Sequence, residues 1–82
     1  MSRLVFTERA VKDFKKLSND QRKRIGLNLM EYSNDPFTFA KKLSNPALGT
    51  FRFRIGEFRV IFDYINDEII VFRVGHRKEI YK

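Results

Sequence analysis

The chain reads as an α+β protein. Two observations predict it: apolar residues recur every three or four positions in the first third, and they alternate strictly from Phe51 onward. A third sets the order. A short N-terminal strand precedes a helical hairpin, and a three-stranded antiparallel meander follows, so the helices should pack on one face of the sheet.

Ser2 to Phe6 reads as the short strand. Thr7 is a candidate N-cap, after which Ala10, Val11, Phe14 and Leu17 keep helical spacing. Ser18-Asn19-Asp20-Gln21 has the capping-box pattern, with Gln three residues after Ser. The second helix runs to about Ser33, with Ile25, Leu29 and Tyr32 on one face. The two helices join at Leu17-Ser18 as a tight hairpin. Asn34-Asp35-Pro36 ends it, because proline cannot continue the hydrogen-bond ladder. Residues 37–50 show no clear period. Phe37, Phe39 and Leu43 need something to pack on, while Asn45-Pro46 and Gly49 mark turns.

From Phe51 the period is two. Phe51, Phe53 and Ile55 alternate with Arg52 and Arg54. Gly56-Glu57 suits a two-residue turn with glycine leading. Phe58, Val60, Phe62 and Tyr64 alternate with Arg59, Ile61 and Asp63. Asn66-Asp67 is the next turn. Ile70, Phe72 and Val74 then alternate with Ile69, Val71 and Arg73. One face of the meander is aromatic and aliphatic, and the helices must cover it. The other carries arginines.

Eighty-two residues make one domain, 1–82. Nine Phe and three Tyr supply the area that so short a chain must bury. With no Cys there is neither a disulfide nor a thiolate metal site, which fits a reducing compartment. Met1 to Phe6 is too short in apolar content for a signal peptide, and no apolar run approaches the ~18–20 residues of a membrane span. The expectation is a soluble cytoplasmic protein. Seventeen Lys/Arg against ten Asp/Glu leave a net charge of +7, which favours polyanions: nucleic acid, an acidic protein or anionic lipid. Charge by itself does not choose among these.

Parity does more. It places Arg52, Arg54, Arg59 and Arg73 on the open side of the sheet, and Arg77 too if the last strand continues. Residues two apart on a strand sit about 6.6–6.8 Å apart, close enough for two guanidinium groups to engage one or two phosphates. Such residues often only solvate a sheet face. Together, however, like charges opposed across strands destabilise it, and Asp63 is the one strand carboxylate that shares their parity. A cost of this kind points to a bound anion or an acidic partner. Val74-Gly75-His76-Arg77-Lys78-Glu79-Ile80-Tyr81-Lys82 then brings the only histidine, an arginine and a tyrosine to the rim. Imidazole is the side-chain type best suited to exchange a proton near neutral pH. Both His76 and Tyr81 also have plain readings, as a packed strand-end residue and as a cap on the core.

The stretch from Phe51 to Phe62, followed by Val74 to Tyr81, resembles the RelE branch of the RelE/ParE toxin superfamily. The order of short strand, helical hairpin and meander is similar over the whole chain. The resemblance implies a toxin of a type II toxin–antitoxin system that cuts mRNA in the ribosomal A site. The RNA 2′-hydroxyl attacks the adjacent phosphorus, leaving a 2′,3′-cyclic phosphate and a 5′-hydroxyl, with no metal or cofactor. It also implies a cognate antitoxin in a hetero-oligomer. Carried over, Arg52 and Arg54 stand for a basic pair that is often lysine, Arg59 for the arginine of the next strand, and Arg77 for the arginine at the last strand's end. Tyr81 stands for the tyrosine that serves as base, and needs cations to lower a free pKa of about 10. His76 falls at a variable position and is a candidate acid. Lys12, Lys15 and Lys16 on helix 1, and Arg22, Lys23 and Arg24 on helix 2, are candidate contacts to ribosomal RNA, with Arg73 a further RNA contact on the sheet. The chain stops one residue after Tyr81, so no C-terminal helix is expected beyond the site. A ParE-like inhibitor of DNA gyrase and a non-catalytic basic RNA-binding module remain the alternatives.

Overall fold

The computed structural model describes residues 2–44 and 49–80. The expected Asn45-Pro46 turn lies outside them. β1 (Arg3–Phe6) leads into α1 (Glu8–Lys15) and α2 (Asn19–Tyr32), as the spacing predicts. Thr7 caps α1, its Oγ1 accepting from the Ala10 N–H at 3.2 Å. Ser18 and Gln21 form the reciprocal box at α2: Gln21 N–H donates to Ser18 Oγ at 3.2 Å, and Ser18 N–H to Gln21 Oε1 at 3.0 Å. Each cap satisfies an amide that the helix itself leaves unpaired.

Pro36 stops the hairpin by opening a new helical turn, α3 (Pro36–Phe39). At a first helical position its missing N–H and preset φ carry no penalty. β2 (Ala40–Lys42) follows, too short at three residues to show a period. β3 (Phe51–Ile55), β4 (Phe58–Ile65) and β5 (Glu68–His76) form the expected antiparallel meander. Gly56 adopts φ 58° in the first turn, while Asn66 and Asp67, at 50° and 61°, make the second. These are the left-handed conformations that glycine, asparagine and aspartate tolerate best. The last described residues form a short helix, α4 (Arg77–Ile80). Arg77 therefore leaves the strand, where continued parity would have kept it.

The strands lie in the order β1-β5-β4-β3-β2, so the meander is the middle of a five-stranded sheet. β1 pairs in parallel with β5, from Arg3 opposite Glu68 to Phe6 opposite Val71. β5 does not keep one alternation. Ile61 pairs with Arg73 but Phe62 with Val71, so Phe72 is an extra residue. A bulge of this kind exchanges the two faces. Ile69, Val71 and Val74 all enter the core, where unbroken alternation would have grouped Ile70, Phe72 and Val74.

α2 lays Ile25 and Leu29 on that core face, against Phe53, Val60 and Phe62. Phe53 and Phe62 stack with ring centroids 4.2 Å apart, and Tyr32 tilts onto Phe53 at 5.2 Å. The other face is not wholly open. A Cβ built on Gly49 would stand 2.7 Å from Ile61 Cγ2 and 3.5 Å from Phe72 Cδ2, so this segment crosses the sheet in close contact. Ile61 is fully buried beneath it. Asp63 accepts the Thr50 N–H at 2.7 Å and is thereby committed to the same crossing.

At Gly56 the backbone makes the demand, and Arg24 would have to shift its guanidinium end to admit a side chain. The residue is left-handed, and a Cβ there would meet Arg24 Nη2 at 2.6 Å. Gly56→Ala is expected to lower stability by about 1–2 kcal/mol, read as a lower urea midpoint with an unchanged slope.

Candidate nucleic-acid interface

Residues paired across antiparallel strands share a face, with Cβ atoms about 4.5–5.5 Å apart. Two such rows build the cationic surface. Lys41, Arg52, Ile61 and Arg73 form one across β2 to β5. Arg54, Arg59 and Gly75 form the next. The alternation thus assigned Arg52, Arg54, Arg59 and Arg73 to their face correctly. What each side chain does there differs.

Arg52 is half-buried and Arg54 and Lys41 are exposed; among the described residues none of the three has a carboxylate partner. Arg59 is only 6% exposed. Its Nη1 folds back onto the β3–β4 turn and donates to the carbonyls of Gly56 at 2.8 Å and Phe58 at 2.9 Å. Directly opposed arginines repel, and drawing Arg59 into the turn separates its charge from that of Arg54.

Arg73 turns to the edge of the sheet. Its Nε donates to Asp13 Oδ2 at 2.7 Å, and that same oxygen accepts the Val74 N–H at 3.1 Å. Arg9 approaches the other carboxylate oxygen at 3.5 Å. The expected RNA contact at Arg73 is therefore engaged inside the protein. Arg77, on α4, places Nε 2.8 Å from Glu57 Oε2. His76 pairs with Phe58 on the core side, as its parity predicts, with its ring edge-on to Phe58 at 5.9 Å. Its Nδ1 accepts the Lys78 N–H at 3.2 Å, so Nε2 is the ring nitrogen left to meet a ligand. Tyr81 lies outside the described residues.

Beside His76, along the edge of β5 beyond the end of β1, lies a cavity of about 410 Å³ lined by Lys16, Phe58, Arg73, His76, Glu79 and Ile80 among others. That size falls in the range of small-ligand sites. A second, apolar groove of about 630 Å³ runs between β1, α1 and α2, with Leu27 and Met30 exposed in it and Lys15, Arg22 and Lys23 at its rim. The helix cations are accordingly divided. Lys15, Arg22 and Lys23 border the groove, Lys16 the His76 cavity, and Arg24 covers Gly56. Lys12 is exposed on α1. Arg22 is further tied to the Lys15 carbonyl at 3.2 Å and to the Asn19 side chain.

Sequence reasoning missed Lys41, Asp13 and Glu57. Asp13 carried a signal: it sits three residues from Ala10 and four from Leu17, inside the apolar stripe of α1. A carboxylate at such a position must find a buried partner.

The family model of the ParE toxin of the type II toxin–antitoxin system parDE matches residues 4–81. Toxin RelE3 of Methanocaldococcus jannaschii is 34% identical over 96% of this chain and 94% of its own length. The mRNA interferase toxin RelE of Escherichia coli K12 is 29% identical over 95% of this chain and 87% of its own. Among solved structures, the toxin–antitoxin complex RelBE2 of Mycobacterium tuberculosis superposes with a TM-score of 0.83 at 25% identity, covering 93% of this chain and 98% of that one.

Asp13→Ala removes the acceptor shared by Arg73 and the Val74 N–H, and leaves that N–H unpaired. The expected cost is about 2–3 kcal/mol, against under ~0.5 kcal/mol for Arg3→Ala in the exposed pair with Glu68. Urea denaturation of both variants measures the difference.

Proposed function

Because the chain belongs to the ParE toxin family of type II toxin–antitoxin systems, we propose that it is a ribosome-dependent mRNA endonuclease held inactive by a cognate antitoxin. One observation carries the reading: Lys41, Arg52 and Arg54 gather on one sheet face without carboxylate partners among the described residues, and the row from Arg54 through Arg59 to Gly75 leads to the end of β5, where His76 faces the core side and Arg77 begins α4. A relative named an mRNA interferase toxin supports it.

The reaction needs little else. The RNA 2′-oxygen attacks the adjacent phosphorus, the new O–P bond forms, and the bond to the 5′-oxygen breaks. Negative charge grows on the phosphorane oxygens, where fixed cations stabilise it more than they stabilise the ground state. Arg52 and Arg54 fill this role on the sheet and Arg77 at its end, nearer the leaving group. Tyr81 takes the 2′-hydroxyl proton, and His76 gives one to the departing 5′-oxygen from Nε2. As an imidazolium, His76 gives up its bond from Lys78, which is exposed and replaceable by water. The products are a 2′,3′-cyclic phosphate and a 5′-hydroxyl.

The antitoxin belongs in the apolar groove between β1, α1 and α2. An amphipathic helix fits an apolar channel of this kind, and acidic flanks complement Lys15, Arg22 and Lys23. The matching solved structure from Mycobacterium tuberculosis is itself a toxin–antitoxin complex.

A second reading is the ParE-like one, a gyrase poison with no chemistry of its own; the matched family being described as a ParE toxin keeps it in play. Induced expression separates the two. Cleavage predicts arrested translation and cyclic-phosphate ends within translated codons, with Arg77→Ala and Tyr81→Phe each lowering the cleavage rate about a hundredfold while ribosome binding changes far less. Intact mRNA with failing DNA supercoiling would establish the second reading instead. For the partner, Leu27→Glu should weaken antitoxin binding about tenfold, measured by calorimetry, and leave cleavage by the free toxin unaltered.

A further inference from the structure

The Gly56–Phe58 segment binds arginines with each of its three carbonyls. Those of Gly56 and Phe58 accept from the Arg59 guanidinium, and that of Glu57 accepts the Arg77 backbone N–H at 2.8 Å. Arg24 closes over Gly56 from α2. Arg54 is directly opposite Arg59. The only side-chain carboxylate on the segment is that of Glu57, and its Oε2 meets Arg77 Nε at 2.8 Å. An acid among four arginines opposes the approach of RNA, so a reason for its presence has to be found in what it touches.

We propose that Glu57 is a positioning residue for the cleavage reaction, holding Arg77 by its backbone and by Nε so that the two terminal guanidinium nitrogens stay available to the phosphorane. This rests on the nuclease reading of the same site. The contact is made at Nε, 2.8 Å from Glu57 Oε2, at the base of the guanidinium fork. An unrestrained arginine loses considerable rotamer freedom when it engages a transition state, and an arginine already fixed at both ends loses less. Both side chains are about half exposed, so the pair adds little to stability and variants at Glu57 remain folded.

Positioning and charge make separable demands. Removing the carboxylate brings the site closer to RNA electrostatically, while removing the side-chain acceptor frees Arg77 Nε and leaves the backbone bond in place. Glu57→Ala does both, and should lower KM for programmed ribosomes while reducing kcat about tenfold. Glu57→Gln keeps an oxygen for Nε, and should lower KM similarly but lose less kcat than the alanine variant. In the Arg77→Ala background, Glu57→Ala should cost no further kcat, because the residue through which it acts is already gone. In the free protein, the Arg77 Nε–H resonance should exchange with water faster in Glu57→Ala than in wild type.

An unchanged or raised kcat in Glu57→Ala, with wild type cleaving normally, overturns the proposal and leaves the nuclease reading standing. So does a full multiplicative loss in the double variant, or alanine and glutamine variants of equal kcat. A wild-type protein that leaves mRNA intact on the ribosome overturns both.

Discussion

The carboxylate of Asp13 closes the sheet where β1 runs out. β1 covers the outer edge of β5 only as far as Val71, and beyond that point the strand's amides would face nothing. The Thr7 hydroxyl and the side chain of Asp13 take over, the first donating to the Phe72 carbonyl and the second accepting from Val74. Asp13 also neutralises Arg73, and so joins α1 to the strand that carries the functional end of the molecule. A buried acid of this kind is worth less as an ion pair than as a constraint, because with its donors in place it is satisfied. The position of His76 and Arg77 follows from that attachment.

The arginines then divide by the company they keep. Arg73 is spent on structure, Arg59 is drawn into a turn by neutral carbonyls, Arg77 is paired at the rim, and Arg52 and Arg54 are left to the surface with Lys41. A uniform field of five unpaired cations would weaken a domain this small. Distributing them lowers that repulsion while keeping an electropositive floor for a phosphate backbone. Among the described residues, the carboxylates that meet Arg73 and Arg77 come from a helix and from a hairpin turn, while the two strand acids that register places on this face, Asp63 and Glu68, are committed to the Thr50 amide and to Arg3.

For this reason the candidate site was only half legible. Side-chain direction along β3 and β4 follows from a period of two, which sequence displays directly, so Arg52, Arg54 and Arg59 were placed by alternation alone. The partners of Arg73 and Arg77 are separated from them by 60 and by 20 positions, respectively, as Asp13 and Glu57. No local pattern encodes such meetings. Lys41 escaped because a three-residue strand has no period to read. The face assignment of Ile69 to Phe72 failed for a different reason. A bulge changes parity without changing composition, and the apolar residues on both sides of it look interchangeable in the chain.

Sequence by itself determined the class of the fold, the helix starts at Thr7 and Ser18, the meander with its two turns, and the excess of positive charge. Each depends on contacts within a few residues: a cap and the amides it binds, a turn and the φ it requires, a strand and its alternating faces. Tertiary structure decided the parallel pairing of β1 with β5, the crossing of the sheet at Gly49, the bulge at Phe72, and which arginines are held and which are open. Those outcomes depend on residues that meet only when the sheet closes, where the need to pair edge amides and compensate buried charge outweighs local preference.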